Sequence, residues 1–263
     1  MELTVSDLDE TWQAAVVAYL RRWPYRNAIP LSNVTQLRQR CDVVLAHSRG
    51  QVVGVASHYR DLPFPGLAFA VDLDQALPPL LAALAERVPA LRATTLGTVI
   101  PERRARQLAS AARVEALEVE YQMVAEPETL RRHSSPMVRR LRDEDLPAMG
   151  ELAAAGGLMA WRPEVLGHGP AFGAFDEDRL VAMAATHFAT PDVIEIGNIV
   201  THPAYRRRGL ARACTSALAD ACFGLAPRVY LMVMAENEGA FAAYRGLGFW
   251  PAERFVFARF RLP

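Results

Sequence analysis

The sequence predicts a mixed α/β protein built in two halves. Three observations carry this. Short apolar or alternating runs, as strands need, interleave with stretches of helical periodicity along the chain. A polar boundary bearing Pro136, "RRHSSPMV" at Arg131–Val138, separates two runs of comparable length. The order of segments before that boundary partly echoes the order after it. With 263 residues the chain suits two small domains or one large one. The expected division is 1–130 and 137–263.

In the first half, "DVVLAHSRGQVVGVASHYR" reads as a hairpin turning at Arg49–Gly50. "LPPLLAALAERV" is predicted helical, "ATTLGTVI" a strand, "ERRARQLASAA" helical and "VEALEVEYQMVA" an alternating strand. "RRWPYRN", at Arg21–Asn27, reads as a solvated surface with one buried tryptophan. In the second half, "MVRRLRDEDLPAMGELAAAG" is a strand followed by a helix that opens near Asp143 with acids in its first turn. "AFGAFDEDRLVAMAATHF" gives two strands around an acidic turn, and "DVIEIGNIVTHP" a strand stopped by Pro203. Then come a helix in "RGLARACTSALADACFGL", a buried strand in "RVYLMVM", a short helix in "NEGAFAAYRGLG" and a final strand in "RFVFARFRL".

Composition excludes several chemistries. The formal net charge is zero, with 15 arginines against 15 acids in residues 1–133 and 14 against 14 in the rest. No global field recruits nucleic acid or a membrane, so neither is an expected partner and any anion site must be local. All 29 basic residues are arginine. Without lysine there is no P-loop, no kinase-type lysine, no pyridoxal Schiff base and no self-acetylation on lysine. Cys41, Cys214 and Cys222 form no CxxC, and the six histidines show no metal-ligand spacing. Cys214 and Cys222 fall on the apolar face of a predicted helix. The start, "MELTVSDLDE", has no signal-peptide core, and no apolar run is long enough to span a bilayer. A cytoplasmic location is the expectation.

The most informative stretch is "YRRRGLA", Tyr205–Ala211. A helix starting here leaves its first N–H groups without acceptors, and its dipole adds about half a positive charge. Gly209 lets a phosphate approach the main chain, and the guanidiniums of Arg206, Arg207 and Arg208 can pair with its oxygens. Leu210 and Ala211 then supply amides of the first turn. The implied ligand is a pyrophosphate at the end of a strand.

Arg206, Gly209 and Ala211 fit the pattern Gln/Arg-x-x-Gly-x-Gly/Ala. Downstream, "NEGAFAAYRGLGF" pairs an asparagine with a tyrosine-bearing helix and Leu-Gly-Phe. On these two motifs the region 137–263 resembles the GCN5-related N-acetyltransferases (GNAT), and its style resembles their FR47-like, glycine N-acyltransferase-like branch. Thr201 stands where an apolar residue is commoner. The resemblance implies a mixed sheet whose fourth and fifth strands splay apart, with acetyl-CoA in the gap. Its pantetheine amides would pair with backbone at Ile199, Val200 and Thr201, and a strand N–H would hold the oxyanion. Asn237 would bond the cofactor arm or the splayed strand while capping its helix. The first half lacks the Arg-x-x-Gly loop and a counterpart of the helix tyrosine. It reads either as a degenerate copy of the same fold, which could wall the acceptor site or make a homodimer contact, or as an unrelated α/β domain.

Acyl transfer to an amine needs a proton acceptor, because a primary amine with a pKa of about 10 is almost wholly protonated at pH 7. Glu195, which interrupts an apolar run eleven residues before Arg206, is the candidate base by resemblance to histone-acetyltransferase members. His187 on the neighbouring strand and an ordered water chain are the alternatives. Tyr244 is the candidate acid for the leaving thiolate, again by resemblance. The expected activity is acetyl-CoA-dependent N-acetyl transfer to a small-molecule or peptide amine by direct attack, without metal. A non-catalytic CoA-responsive module and an acyltransferase for longer acyl-CoA are the rival readings.

Overall fold

The computed structural model describes residues 2–62, 64–158 and 160–263. Contacts divide the chain into one unit of residues 1–120 with 253–263 and another of residues 121–252.

The first unit opens with β1 (Thr4–Asp7) and α1 (Glu10–Arg21), whose first turn is capped by Asp9 accepting from the Trp12 amide at 3.0 Å. After α2 (Ala28–Val34), β2 (Cys41–Ser48) and β3 (Gln51–Tyr59) form the predicted hairpin. Its two-residue turn sets Arg49 at φ 50° and Gly50 at φ 75°, the positive values a tight hairpin requires. Then follow β4 (Gly66–Val71), α3 (Leu77–Arg87), β5 (Leu96–Pro101), α4 (Ala105–Ala111) and β6 (Arg113–Ala125). Leu77, Leu80, Leu81 and Leu84 line one face of α3 and join Val44, Ala46 and Phe69 in the core.

The parallel strands β4 and β5 share a single rung, Gly66 with Gly97, and part beyond it. Parted strands leave backbone carbonyls without ladder partners, and burying them unpaired is costly. Here the gap is bridged. Arg104, in the turn after β5, donates from Nη1 to the Phe69 carbonyl at 3.2 Å and from Nη2 to Asn27 at 3.2 Å. On the opposite, β3 edge of β4, the Tyr19 hydroxyl lies 3.2 Å from the Val53 carbonyl and 3.3 Å from that of Ala70. Burial of Arg104 pulls its guanidinium down to about 10. Trp23, expected to be buried, is 54% exposed, with the Arg26 guanidinium over its ring. An aromatic face can serve a cation at the surface as well as a core.

In the second unit, β7 (Val138–Arg140) is followed by a 3-10 turn over Asp143–Asp145 and α5 (Leu146–Ala155). Asp145 accepts twice from the Arg139 guanidinium, at 2.7 and 2.8 Å, which holds its carboxyl below the usual carboxylate range. α6 (Val165–His168), β8 (Ala171–Asp176), β9 (Arg179–Ala189), β10 (Ile194–Thr201), α7 (Leu210–Phe223), β11 (Val229–Met234) and α8 (Glu238–Gly246) complete it. The strand order is β6-β11-β10-β9-β8-β7. Alternation along β9 sorts the core into two layers. Ala182 and Ala184 face Leu210, Cys214 and Leu218 of α7, while Met183 and Ala185 face Met149, Leu152 and Val165 of α5 and α6.

The chain ends in β12 (Trp250–Arg261). Its residues Phe255–Phe260 pair antiparallel with Pro101–Leu96 of β5, inside the first unit. The contact-based division therefore assigns Glu253–Pro263 to the first unit, whereas the sequence boundary at 131–138 keeps them with the second.

Gly248 fixes the close of α8. Its φ is 93°, and a Cβ there would lie 1.8 Å from the Thr129 carbonyl oxygen. The flanking backbone cannot yield, because the Arg131 amide is bonded to the Leu247 carbonyl at 2.8 Å. Gly248→Ala is expected to cost about 2–4 kcal/mol, from strained φ plus a backbone clash. Urea denaturation of wild type and variant measures it, and a difference under about 0.5 kcal/mol contradicts the account.

Candidate active site

The site grows out of a second parting of parallel strands. β10 and β11 share two rungs, Ile194–Val229 and Glu195–Tyr230, and then separate. Two bulges accompany the separation. On β9, His187 is the extra residue between the pairs Glu195–Phe188 and Ile196–Thr186. On β10, Asn198 and Ile199 oppose Ala184 alone, between the pairs Gly197–Ala185 and Val200–Met183. Asn198 adopts φ 46°, a left-handed value that asparagine tolerates better than most residues. Bulges turn a strand and re-aim its side chains. The edge of β10 from Ile199 to Thr201 emerges on the wall of a cavity instead of in a ladder.

That cavity encloses about 720 Å³. Its walls gather Ile199, Val200 and Thr201 from β10, the loop Arg206, Arg207, Gly209 and the first turn of α7, then Asn237, Ala240, Ala243 and Tyr244 from α8 and its cap. Gly209 is the N-cap of α7 at φ 77°, with no side chain capping the helix. Arg207 is also left-handed, at φ 67°. A left-handed turn running into an uncapped helix start aims successive N–H groups into one concavity, where an anion is favoured. The Thr201 hydroxyl is buried without a hydrogen-bond partner, as is Nε of Arg212.

Of the ten cofactor positions anticipated from sequence, nine lie on this wall. Arg208 does not. Its guanidinium turns back to the Ala204 carbonyl at 3.4 Å and over the Tyr205 ring at 4.9 Å. The Tyr205 hydroxyl is itself tied to Asp176 at 2.5 Å. Arg206 reaches the Thr201 carbonyl at 3.5 Å, close to the limit of a hydrogen bond. Asn237 caps α8 by accepting from the Ala240 amide at 3.1 Å, which leaves its amide donors available. Arg212 and Tyr205 also line the cavity, and sequence reasoning missed both. Arg212 sits one residue past the motif, and helical spacing alone did not show that it turns inward.

The two acid–base candidates sit apart. Tyr244 is on the cavity wall, 8% exposed, and burial pushes its phenol up to about 12. It therefore stays protonated at neutral pH as a hydrogen-bond donor. Glu195 is buried off the wall, one rung before the strands part. Its Oε2 accepts from the Tyr230 hydroxyl at 2.5 Å and its Oε1 faces Nδ1 of His187 at 3.0 Å. His187 lies over Gly197, where a Cβ would come within 2.4–2.8 Å of three ring atoms. No group of His, Cys, Asp and Glu among the described residues could hold a metal, and no described helix is long and apolar enough to cross a membrane.

Residues 135–249 match the model of the acetyltransferase (GNAT) family. A GCN5-related N-acetyltransferase from Kribbella flavida superposes with a TM-score of 0.62 at 20% identity, over 79% of this chain and 86% of that one. A tandem GNAT protein from the clavulanic acid biosynthesis pathway gives 0.66 at 17% identity, over 98% of each. A GCN5-related N-acetyltransferase from Sphaerobacter thermophilus gives 0.69 at 15%, over 99% of this chain and 96% of that one. No curated protein matches. Residues 135–249 thus carry a GNAT-family acetyltransferase domain by the model they match, and the whole chain shares its fold with a tandem GNAT protein.

A carboxylate only accepts hydrogen bonds, so Nδ1 should be the protonated nitrogen of neutral His187. Imidazole ¹⁵N spectra of the uncharged ring are expected to show the Nδ1–H tautomer at this residue. Gly197→Ala should shift that signal by driving the ring off the strand. An Nε2–H tautomer in the wild type would contradict the assignment.

Proposed function

We propose, from the GNAT-family match of residues 135–249, that the protein transfers an acetyl group from acetyl-CoA to an amine. One observation carries the reading: a single cavity joins the free edge of a parted strand to an uncapped, arginine-flanked helix start. A long ligand with amides in its arm and a pyrophosphate at its end is complementary to that combination. The fit rests on three features. Thr201 presents an orphaned hydroxyl, Gly209 leaves the amides bare, and the volume suits a cofactor-sized ligand.

When bound, acetyl-CoA supplies an activated acyl group as a thioester. The chain's own residues do the rest. Ile199, Val200 and Thr201 offer backbone groups to the arm, and a strand N–H polarises the carbonyl that is attacked. Arg206, Arg207 and the first amides of α7, through Gly209, Leu210 and Ala211, hold the pyrophosphate. Asn237 uses its free amide donors on the arm. Tyr244 donates to the departing sulfur. Glu195 and His187 together form the proton-accepting pair. No enzyme nucleophile is needed, since proximity of amine and thioester supplies much of the rate.

The first unit does not share this role. Pro78 and Pro79 remove N–H donors from the first turn of α3, and Asp72 and Asp74 put negative charge just before it. An anion is repelled there. Arg104 already occupies the Phe69 carbonyl of the parted strand. One acetyl-CoA per chain is therefore expected.

Calorimetry tests the reading. Acetyl-CoA should bind at one site per chain. Gly209→Glu should weaken binding by about 100-fold or more, because bulk and charge are placed where the pyrophosphate lies. Undiminished binding in that variant would remove the loop from the site, and two sites per chain would contradict the closure of the first unit. Tyr244→Phe should lower turnover by about 10²-fold with binding unchanged. Thiol release in the presence of an amine panel measures this.

A further inference from the structure

The pair formed by Glu195 and His187 is asymmetric. Glu195 is buried at 7% exposure, and both of its oxygens are engaged, one by the Tyr230 hydroxyl and one by His187. Tyr230 is itself 1% exposed and directly opposite Glu195 across the last shared rung. A carboxylate fixed on both sides in this way is a poor first acceptor for an incoming proton. It is well suited to hold another group in place and to stabilise positive charge on it.

His187 has the complementary properties. Its Nδ1 is held by Glu195, while its Nε2 is buried with no hydrogen-bond partner. A polar atom withheld from water and bonded to nothing is costly, and native structures seldom tolerate one without a use. The residue is also the bulged position of β9, so the strand departs from its ladder at the place where this ring is presented. Its side chain is 29% exposed, against 9% for that of Glu195. The ring lies over Gly197, the nearest position at which β10 has room for it. From there to Ile199, where the cavity wall begins, is two residues, about 7 Å along a strand. The ring is not on the cavity wall, so an amine would meet Nε2 only from the mouth of the parted strands.

Resting on the acetyl-transfer reading above, we propose that Nε2 of His187 is the atom that accepts the proton of the attacking amine. Glu195 and Tyr230 are positioning residues that fix the imidazole and its tautomer. The amine nitrogen forms the new bond to the acyl carbon as the carbon–sulfur bond breaks. The amine's proton passes to Nε2 of His187, and Tyr244 supplies the proton that the departing sulfur requires. Solvent exchange then returns His187 and Tyr244 to their starting states. No oxidant, metal or further reactant enters the balance.

The experiment compares His187→Ala, His187→Gln and Glu195→Gln in the full chain, with acetyl-CoA calorimetry beside amine-dependent turnover. Both His187 variants should lose about 10²–10³-fold in kcat with acetyl-CoA affinity unchanged. His187→Gln keeps a bond to Glu195 and guards against a loss due to misfolding. Added imidazole should restore His187→Ala by tenfold or more, which a structural defect would not allow. Glu195→Gln can still accept from Nδ1 but also permits the wrong tautomer, so it should lose no more than the His187 variants. A loss of 10² or more in Glu195→Gln, with less than tenfold loss in the His187 variants, would make Glu195 the acceptor and overturn the proposal alone. Absence of acetyl-CoA binding, or binding without turnover on any amine, in the wild type would overturn the acetyl-transfer reading and this assignment with it.

Discussion

The parting of β10 from β11 after two shared rungs is the constraint on which the second unit depends. A sheet cannot simply stop pairing in its middle, because the freed N–H and carbonyl groups must find partners or water. The two bulges, at His187 on β9 and at Asn198–Ile199 on β10, are how this chain accomplishes it. They bend the strand while its other edge stays paired with β9. The cavity, the exposed edge at Ile199–Thr201 and the placement of the Glu195 rung all follow from that bend. Function here is a consequence of interrupted pairing, located by an asparagine that tolerates a left-handed backbone.

The chain contains its own control for this argument. β4 and β5 part in the first unit after one rung, by the same topology. There the freed carbonyl of Phe69 is taken by Arg104, and the helix that follows begins with prolines behind two aspartates. A buried guanidinium drawn down to about 10 is a substantial desolvation cost, offset by the carbonyl and the Asn27 amide it satisfies. Parted strands therefore admit two outcomes, one plugged by side chains and one left open toward a positive helix start. The difference is carried by a few residues and not by the fold.

Much of this was legible in the sequence, for identifiable reasons. The hairpin at Arg49–Gly50, the helices with leucine or alanine stripes and the strand stopped by Pro203 are governed by local chemistry, and each formed where its pattern indicated. The loop from Arg206 to Ala211 was readable as a turn into a helix start, because a glycine and the helical periodicity after it are local signals. What stayed hidden was non-local. Nothing in "RFVFARFRL" indicates that its partner is β5, more than 150 residues earlier, since alternation shows that a strand exists but not where it pairs. The exposure of Trp23 depended on a cation arriving over its face. Arg208 was indistinguishable from its two neighbours until Tyr205, tied to Asp176, supplied a surface for it to stack on.

The hydrogen-bond chain from Tyr230 to Glu195 to His187 shows why candidate bases resist reading from a sequence. Glu195 stands out in "VIEIGNIV" because a charge interrupts an apolar run, and such a charge invites a catalytic role. The same interruption is equally the signature of a buried group that exists to hold another. Deciding between them requires knowing how many of its lone pairs are already engaged, and by what. Two contacts, at 2.5 and 3.0 Å, engage both oxygens of Glu195, and on them rests the proposal that it holds another group. The residue it holds carries no sequence signal beyond being a histidine on a strand. Its significance comes from a bulge, from a glycine beneath its ring and from one nitrogen left without a partner.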